Sequence, residues 1–144
     1  MSEIPDALAG FVPWLEGNGF LRTSDRFEPE AFGNRLITLE RPPITVEIVS
    51  DRGVWLLGVG GQALTEGTFG AEIWRACLEG TPVPEESPDF AQQIDFIKES
   101  LSQIAAALAP DRVGDTETCL VARQREQTEA YMNYLRAGGA ERRD

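Results

Sequence analysis

The chain has 144 residues, 42% of them hydrophobic and 26% charged, which is typical of one globular domain with a core of its own. Its net charge of −11 disfavours nucleic acids and anionic membrane surfaces as direct ligands, because binding them depends on Lys and Arg. Since the chain has no histidine, neither a Ser-His-Asp nor a Cys-His catalytic arrangement can form.

The first predicted element is a helix over residues 5–17, in which Pro5 suits the first turn. Its apolar side chains share one side, and they are Leu8, Phe11, Val12 and Leu15. Pro13 either kinks this helix or divides it into two. A short strand is then predicted over residues 20–22. Residues 23–33 are predicted to be polar and turn-like, with Phe27 and Phe32 packed back onto the core.

The centre of the chain is predicted to be a hairpin of residues 44–50 and 54–59, which alternate apolar and polar side chains. A three-residue loop over residues 51–53, closed by Gly53 in the left-handed conformation, sets Ile48 opposite Leu56. This register places Val54 and Leu56 on the apolar face. It places Trp55 on the opposite, mixed face.

A third strand is predicted over residues 35–40, joined to the hairpin by a four-residue loop over residues 41–44. In this register Thr38 faces Glu47, and Ile37 faces Ile48. Both loops select the same buried face.

Three later helices are predicted. The first covers residues 68–79, with Thr68 as its cap and Gly80 at its end. The second starts at Ser87-Pro88-Asp89, and its apolar stripe is predicted to cover the sheet. The third covers residues 116–137, where the candidates to dock on the domain are Leu120, Tyr131, Tyr134 and Leu135. The prediction is therefore an α+β fold: an antiparallel sheet of about four strands, with helices packed mainly on one face. Residues 1–137 form a single domain, and residues 138–144 form a flexible C-terminal tail.

The residue types needed for catalysis or metal binding do not occur in a recognisable pattern. Cys77 and Cys119 are 42 positions apart and are predicted to be unpaired, buried residues, because the absence of a secretory signal indicates a cytoplasmic protein. The carboxylate pairs, such as Glu85 and Glu86, are predicted to be solvated surface. We therefore expect no enzyme activity, no metal and no cofactor.

A protein partner is the interaction that the charge distribution favours. Residues 61–110 carry eight acidic and two basic side chains, which makes this segment the most acidic part of the chain. Trp55 either packs under a helix or anchors a partner, since tryptophan is enriched at interface hot spots. The candidate partner-binding residues are Trp55, Asp51, Arg52, Glu85, Glu86 and Asp89.

The order of these features resembles the small acidic bacterial immunity proteins of polymorphic toxin systems. The resemblance covers residues 10–80 and lies in Gly19-Phe20, in the turn sequence from Ser50 to Trp55, and in Trp74. It implies inhibition of a basic toxin domain by tight binding, without chemistry. The alternative is a small acidic chaperone of a secretion system, which binds an extended segment of an effector and forms a homodimer.

Overall fold

The computed structural model describes residues 4–28 and 34–142. The helices are α1 (Asp6–Gly17), α2 (Ala71–Glu79), α3 (Phe90–Ala107) and α4 (Val113–Arg142), and the strands are β1 (Leu21–Glu28), β2 (Asn34–Arg41), β3 (Ile44–Asp51), β4 (Val54–Gly60) and β5 (Thr68–Phe69). The strands form one antiparallel sheet in the order β1-β2-β3-β4-β5. The predicted α+β class is confirmed, with five strands in place of about four.

The core lies between one face of the sheet and the helices. Ile37, Ile48 and Leu57 are aligned across β2, β3 and β4, and all three are buried. They form one apolar cluster with the stripes of α1 and α3, including Ile97, which is completely buried. Burying each such side chain contributes about 1.5–3 kcal/mol, so this layer accounts for much of the stability.

The register between β2 and β3 is the predicted one. Thr38 pairs with Glu47 and Ile37 pairs with Ile48. The loop is shorter than predicted, because Arg41 pairs with residue 44 and only Pro42 and Pro43, joined by a cis peptide bond, form the turn.

The register predicted between β3 and β4 is wrong by one residue. The turn has two residues, Arg52 and Gly53, both in the left-handed region with φ of 54° and 84°. The prediction has this conformation at Gly53 alone, but Arg52 adopts it too, and its N–H donates a hydrogen bond of 2.9 Å to Asn34 Oδ1. The slip turns Val54 and Leu56 outward, where they are 60% and 57% exposed, and brings Trp55 to the core face.

The first strand is longer than predicted, and the first helix is continuous. Residues 23–28 belong to β1, so they are not a turn-like segment, and Phe27 is 47% exposed instead of packing on the core. Phe32 lies outside the described residues. α1 runs through Pro13 as one helix, so the predicted alternative of two separate helices is wrong.

The segment before α2 is a strand. Thr68 does not cap the helix but pairs with Gly60 in β5, and α2 begins at Ala71. Gly58 makes this approach possible, since a Cβ at this position would lie 2.5 Å from the Thr68 hydroxyl oxygen. Gly80 ends α2 in the left-handed conformation, with φ of 69°, as predicted.

The last helix is longer than predicted and only its start is packed. Of its residues 113–137, Leu120 alone is buried, and residues 128–137 are all exposed. α4 continues to Arg142, so the segment predicted as a tail is helical over residues 138–142. Within the described ranges, the structure contains no helix that is both long and apolar enough to cross a membrane.

The prediction of two unpaired cysteines is wrong. Cys77 of α2 and Cys119 of α4 form a disulfide, with their Cα atoms 6.0 Å apart. The pairing could not be predicted because the two cysteines are far apart in sequence, and they meet only because α2 and α4 pack side by side.

Candidate functional site

A groove lies between the loop of residues 82–87 and the exposed part of α4, and we call it the α4 groove. Its volume is about 1110 Å³. Its described lining includes Glu72 of α2, Glu85 of the loop, and Glu126, Tyr131 and Tyr134 of α4.

The electrostatic character of the α4 groove is negative. All the charged side chains in its described lining are carboxylates. Glu126 is paired with Arg123 at 3.2 Å, so Glu72 and Glu85 contribute most of the negative charge. Tyr131 and Tyr134 present exposed rings, and aromatic faces attract cations. A cationic group is therefore the ligand chemistry that this groove favours.

Two features restrain the elements that carry the α4 groove. Pro82 and Pro84 restrict the backbone of the loop. The Cys77–Cys119 disulfide ties α2 to the start of α4. Both restraints act beside the groove, on its loop and on the start of the helix that carries its other wall.

Glu117 anchors the first turns of α4. Its carboxylate accepts hydrogen bonds from the backbone N–H groups of Thr65, at 2.6 Å, and Glu66, at 3.1 Å, and from the Thr65 hydroxyl. Desolvation raises the pKa of Glu117, but these hydrogen bonds outweigh it and the pKa lies below its ordinary value. This contact could not be predicted from the sequence, because its partners are more than fifty residues apart.

The predicted acidic residues take different positions. Glu85 lines the α4 groove, and Glu86 is exposed beside it. Asp89 is the N-cap of α3: its carboxylate accepts a hydrogen bond of 2.8 Å from the Gln92 N–H, and its own N–H donates to the Gln92 side chain at 3.1 Å. The Asp89 carboxylate therefore has a structural role at the start of the helix.

The predicted residues of the hairpin lie at the turn between β3 and β4 and at the start of β4. Asp51 and Arg52 are exposed at the turn, with 3.9 Å between their charged groups. Trp55 is half-buried, and within the described part of the chain its Nε1 atom is buried without a hydrogen-bond partner. Trp55 lines a second groove of about 430 Å³ along β4, which we call the β4 groove.

The two grooves are neighbours. Glu72 and Ser87 line both of them. The structure thus brings Trp55 and the loop that carries Glu85 to the border of one connected surface, although Asp51 and Arg52 do not line either groove.

No family model, curated protein or solved structure matches this chain. The resemblance to immunity proteins therefore stays a prediction. In the described part of the chain, no group of three or more His, Cys, Asp or Glu side chains is arranged to hold a metal ion.

The prediction that the second half of α4 docks on the domain is wrong. Leu120 packs in the core as predicted, but Tyr131, Tyr134 and Leu135 are exposed, because α4 leaves the core after Val121. The wholly polar stretch of residues 123–127 was the signal for this departure.

Proposed function

We propose that this chain is a non-catalytic protein-binding module that receives a basic surface of a partner in its α4 groove. Its simplest role is that of an immunity-type inhibitor of a basic toxin domain. One observation carries the proposal: the described charged lining of the α4 groove is entirely acidic and stands beside exposed tyrosines. Tyrosine is enriched where proteins bind tightly, because its ring offers a large contact area and its hydroxyl a hydrogen bond.

The net charge supports the same kind of partner. A charge of −11 speeds the encounter with a basic protein through long-range attraction, and salt screens this attraction. Inhibition needs no chemistry in this case, since covering the active surface of a toxin is sufficient.

The charge of the groove is tested with two matched variants. Glu85→Lys reverses a charge in the α4 groove, and Glu99→Lys makes the same change on an exposed part of α3 outside both grooves. Partners captured by the unmodified chain are purified, and their affinity is measured by calorimetry at several salt concentrations. We expect E85K to weaken binding by about tenfold and E99K by less than about twofold. Equal effects of the two variants would exclude the α4 groove as the interface.

The inhibitor role has its own test. The unmodified chain should restore growth to cells that produce the captured partner, and E85K should restore it less well than E99K. A partner that is harmless to cells would contradict the inhibitor role but not the binding surface.

The second candidate is a chaperone that binds an extended effector segment. The exposed apolar side chains at the far end of α4, Tyr131, Met132 and Leu135, favour it, because such residues bind unfolded segments or a second copy of the chain. A chaperone should form a homodimer in solution and should bind its client only when the client is unfolded. An inhibitor should bind a folded domain.

The disulfide bears on the cellular compartment in which this chain works. The cytoplasmic location stays a prediction, but the Cys77–Cys119 disulfide favours an oxidising compartment, where such bonds persist. Acid-quenched thiol labelling of cell fractions decides between the two: fully labelled cysteines would support the cytoplasm, and protected cysteines the oxidising compartment.

A further inference from the structure

The sheet has an open edge along most of β4. Its neighbour β5 pairs only with Val59 and Gly60. In the part of the chain that the structure describes, no strand pairs with residues 54–58 on that side. Native proteins usually shorten, cover or charge such edges, because unpaired backbone groups recruit another strand.

The peptide groups that face outward along this edge can be assigned. A two-residue turn makes Asp51 and Val54 a hydrogen-bonded pair, so alternate residues of β4 turn their N–H and C=O groups away from β3. This phase includes Trp55, Leu57 and Val59. The carbonyl oxygen of Val59 confirms the phase independently, since it accepts a hydrogen bond of 2.8 Å from Trp74 Nε1 on that side. Trp55 and Leu57 therefore offer their backbone groups at the open edge.

An apolar row on the outer face of the sheet leads to the same edge. Leu36, Val49 and Leu56 are aligned across β2, β3 and β4. The first two are half-buried, and Leu56 at the end of the row is 57% exposed. An additional strand would place a side chain beside Leu56 and continue this row.

The charge of the β4 groove indicates what such a strand contains. Its described charged lining consists of Glu47 and Glu72, both carboxylates. A second copy of this chain fits poorly, because pairing two β4 edges would bring these carboxylates together in two molecules that each carry a net charge of −11. A segment with basic side chains fits the charge.

We infer that the open edge of β4 binds an extended segment of a partner protein, which adds to the sheet as a sixth strand. Its apolar residues lie on the outer face in line with Leu56, and its alternate basic residues lie on the other face of the sheet, towards Glu72. The inference rests on the proposed function for the basic character of the partner, but it concerns a surface other than the α4 groove.

The first test uses a heptapeptide of alternating valine and lysine at low salt. Binding should protect the amide protons of Trp55 and Leu57 from hydrogen exchange, measured by NMR. Two further peptides carry backbone N-methyl groups at alternate residues in opposite phases. One phase should weaken binding by about tenfold or more and the other should change it little, because only alternate N–H groups bond to an edge strand. Absence of binding, or equal effects of the two phases, would overturn the inference.

Two leucine variants provide the matched control. Leu56→Lys places a charge at the open edge, and Leu21→Lys makes the same change on the exposed Leu21 of β1, at the opposite edge of the sheet. L56K should weaken binding of the heptapeptide by about tenfold and L21K by less than about twofold. Concentration-dependent protection of Trp55 and Leu57 without any peptide would identify a second copy as the occupant and would also overturn the inference.

The two proposals fail separately. Heptapeptide binding at β4 should be unchanged in E85K, which alters the α4 groove alone. If E85K disrupts binding of the partner but the heptapeptide leaves Trp55 and Leu57 unprotected, only the β4 inference fails. If the heptapeptide protects them while E85K and E99K bind the partner equally, only the α4 groove is excluded.

Discussion

The indole nitrogen of Trp74 donates a hydrogen bond of 2.8 Å to the carbonyl oxygen of Val59. This contact joins α2 to the sheet and marks the point where the edge of β4 stops being open, because β5 pairs with Val59 and Gly60 from there on. A helix side chain thus adds a hydrogen bond to the sheet at the residue where the short strand β5 pairs.

Trp74→Phe should destabilise the protein substantially. The substitution removes the Nε1 donor to the buried Val59 carbonyl and part of a fully buried ring. We expect the free energy of unfolding in urea to fall by about 2–4 kcal/mol. The half-buried Trp14 is the control, and W14F should cost less than about 1.5 kcal/mol. Equal losses in the two variants would contradict the role of the hydrogen bond.

The register of the β3–β4 hairpin is tested by two adjacent leucines. Leu57 is 6% exposed and Leu56 is 57% exposed, although both lie in β4. Leu57→Ala should cost about 2–4 kcal/mol of unfolding free energy, and Leu56→Ala less than about 1 kcal/mol. A larger loss of unfolding free energy for Leu56→Ala than for Leu57→Ala would support the register predicted from the sequence instead.

The Glu117 carboxylate should make stability depend on acid pH. Folding lowers its pKa, so the group stabilises the folded state above its ordinary value of 4.5 and loses this effect as the pH falls through the lower folded value. Glu117→Gln should reduce the stability at neutral pH, and it should make the loss of stability in acid smaller. Urea unfolding at several pH values measures both effects. Asp115→Asn, in the first turn of the same helix, is the control, and its stability should fall in acid as much as that of the unmodified protein. An unchanged acid decline in E117Q would exclude this group as its source.

Reducing the Cys77–Cys119 disulfide should lower the stability. The bond closes a loop over 42 residues of sequence, and a cross-link of this length contributes about 2–4 kcal/mol. The free energy of unfolding, measured with and without dithiothreitol, should differ by that amount. The double variant Cys77→Ser with Cys119→Ser should be insensitive to the reductant. Native protein that reacts with a thiol reagent as isolated would show that the bond is not formed.

Local patterns in the sequence predicted the parts of the fold that depend on short-range periodicity. The apolar steps of α3 predicted its buried stripe, which includes Ile97, and the alternation of β2 and β3 placed Ile37 and Ile48 on the buried face. Both signals repeat over many residues, so one unusual position does not alter them.

The errors arose where one residue or one distant contact decides the structure. Arg52 adopts a conformation that favours glycine, and its distant partner Asn34 cannot be inferred from the hairpin sequence. The pairing of Cys77 with Cys119 depends on how α2 and α4 pack. For the candidate site, the sequence placed Glu85 in the right segment, but the tyrosines of α4 became part of it only because the helix leaves the core.

Chemical-shift mapping of the captured partner onto this chain tests the central proposal most directly. The backbone and side-chain resonances are compared before and after saturation with the partner. We expect the largest chemical-shift changes at Glu85, Tyr131 and Tyr134, around the α4 groove, and we expect these changes to become smaller as salt is added. Changes confined to β1 and the exposed side of α1, with no response at α4, would contradict it.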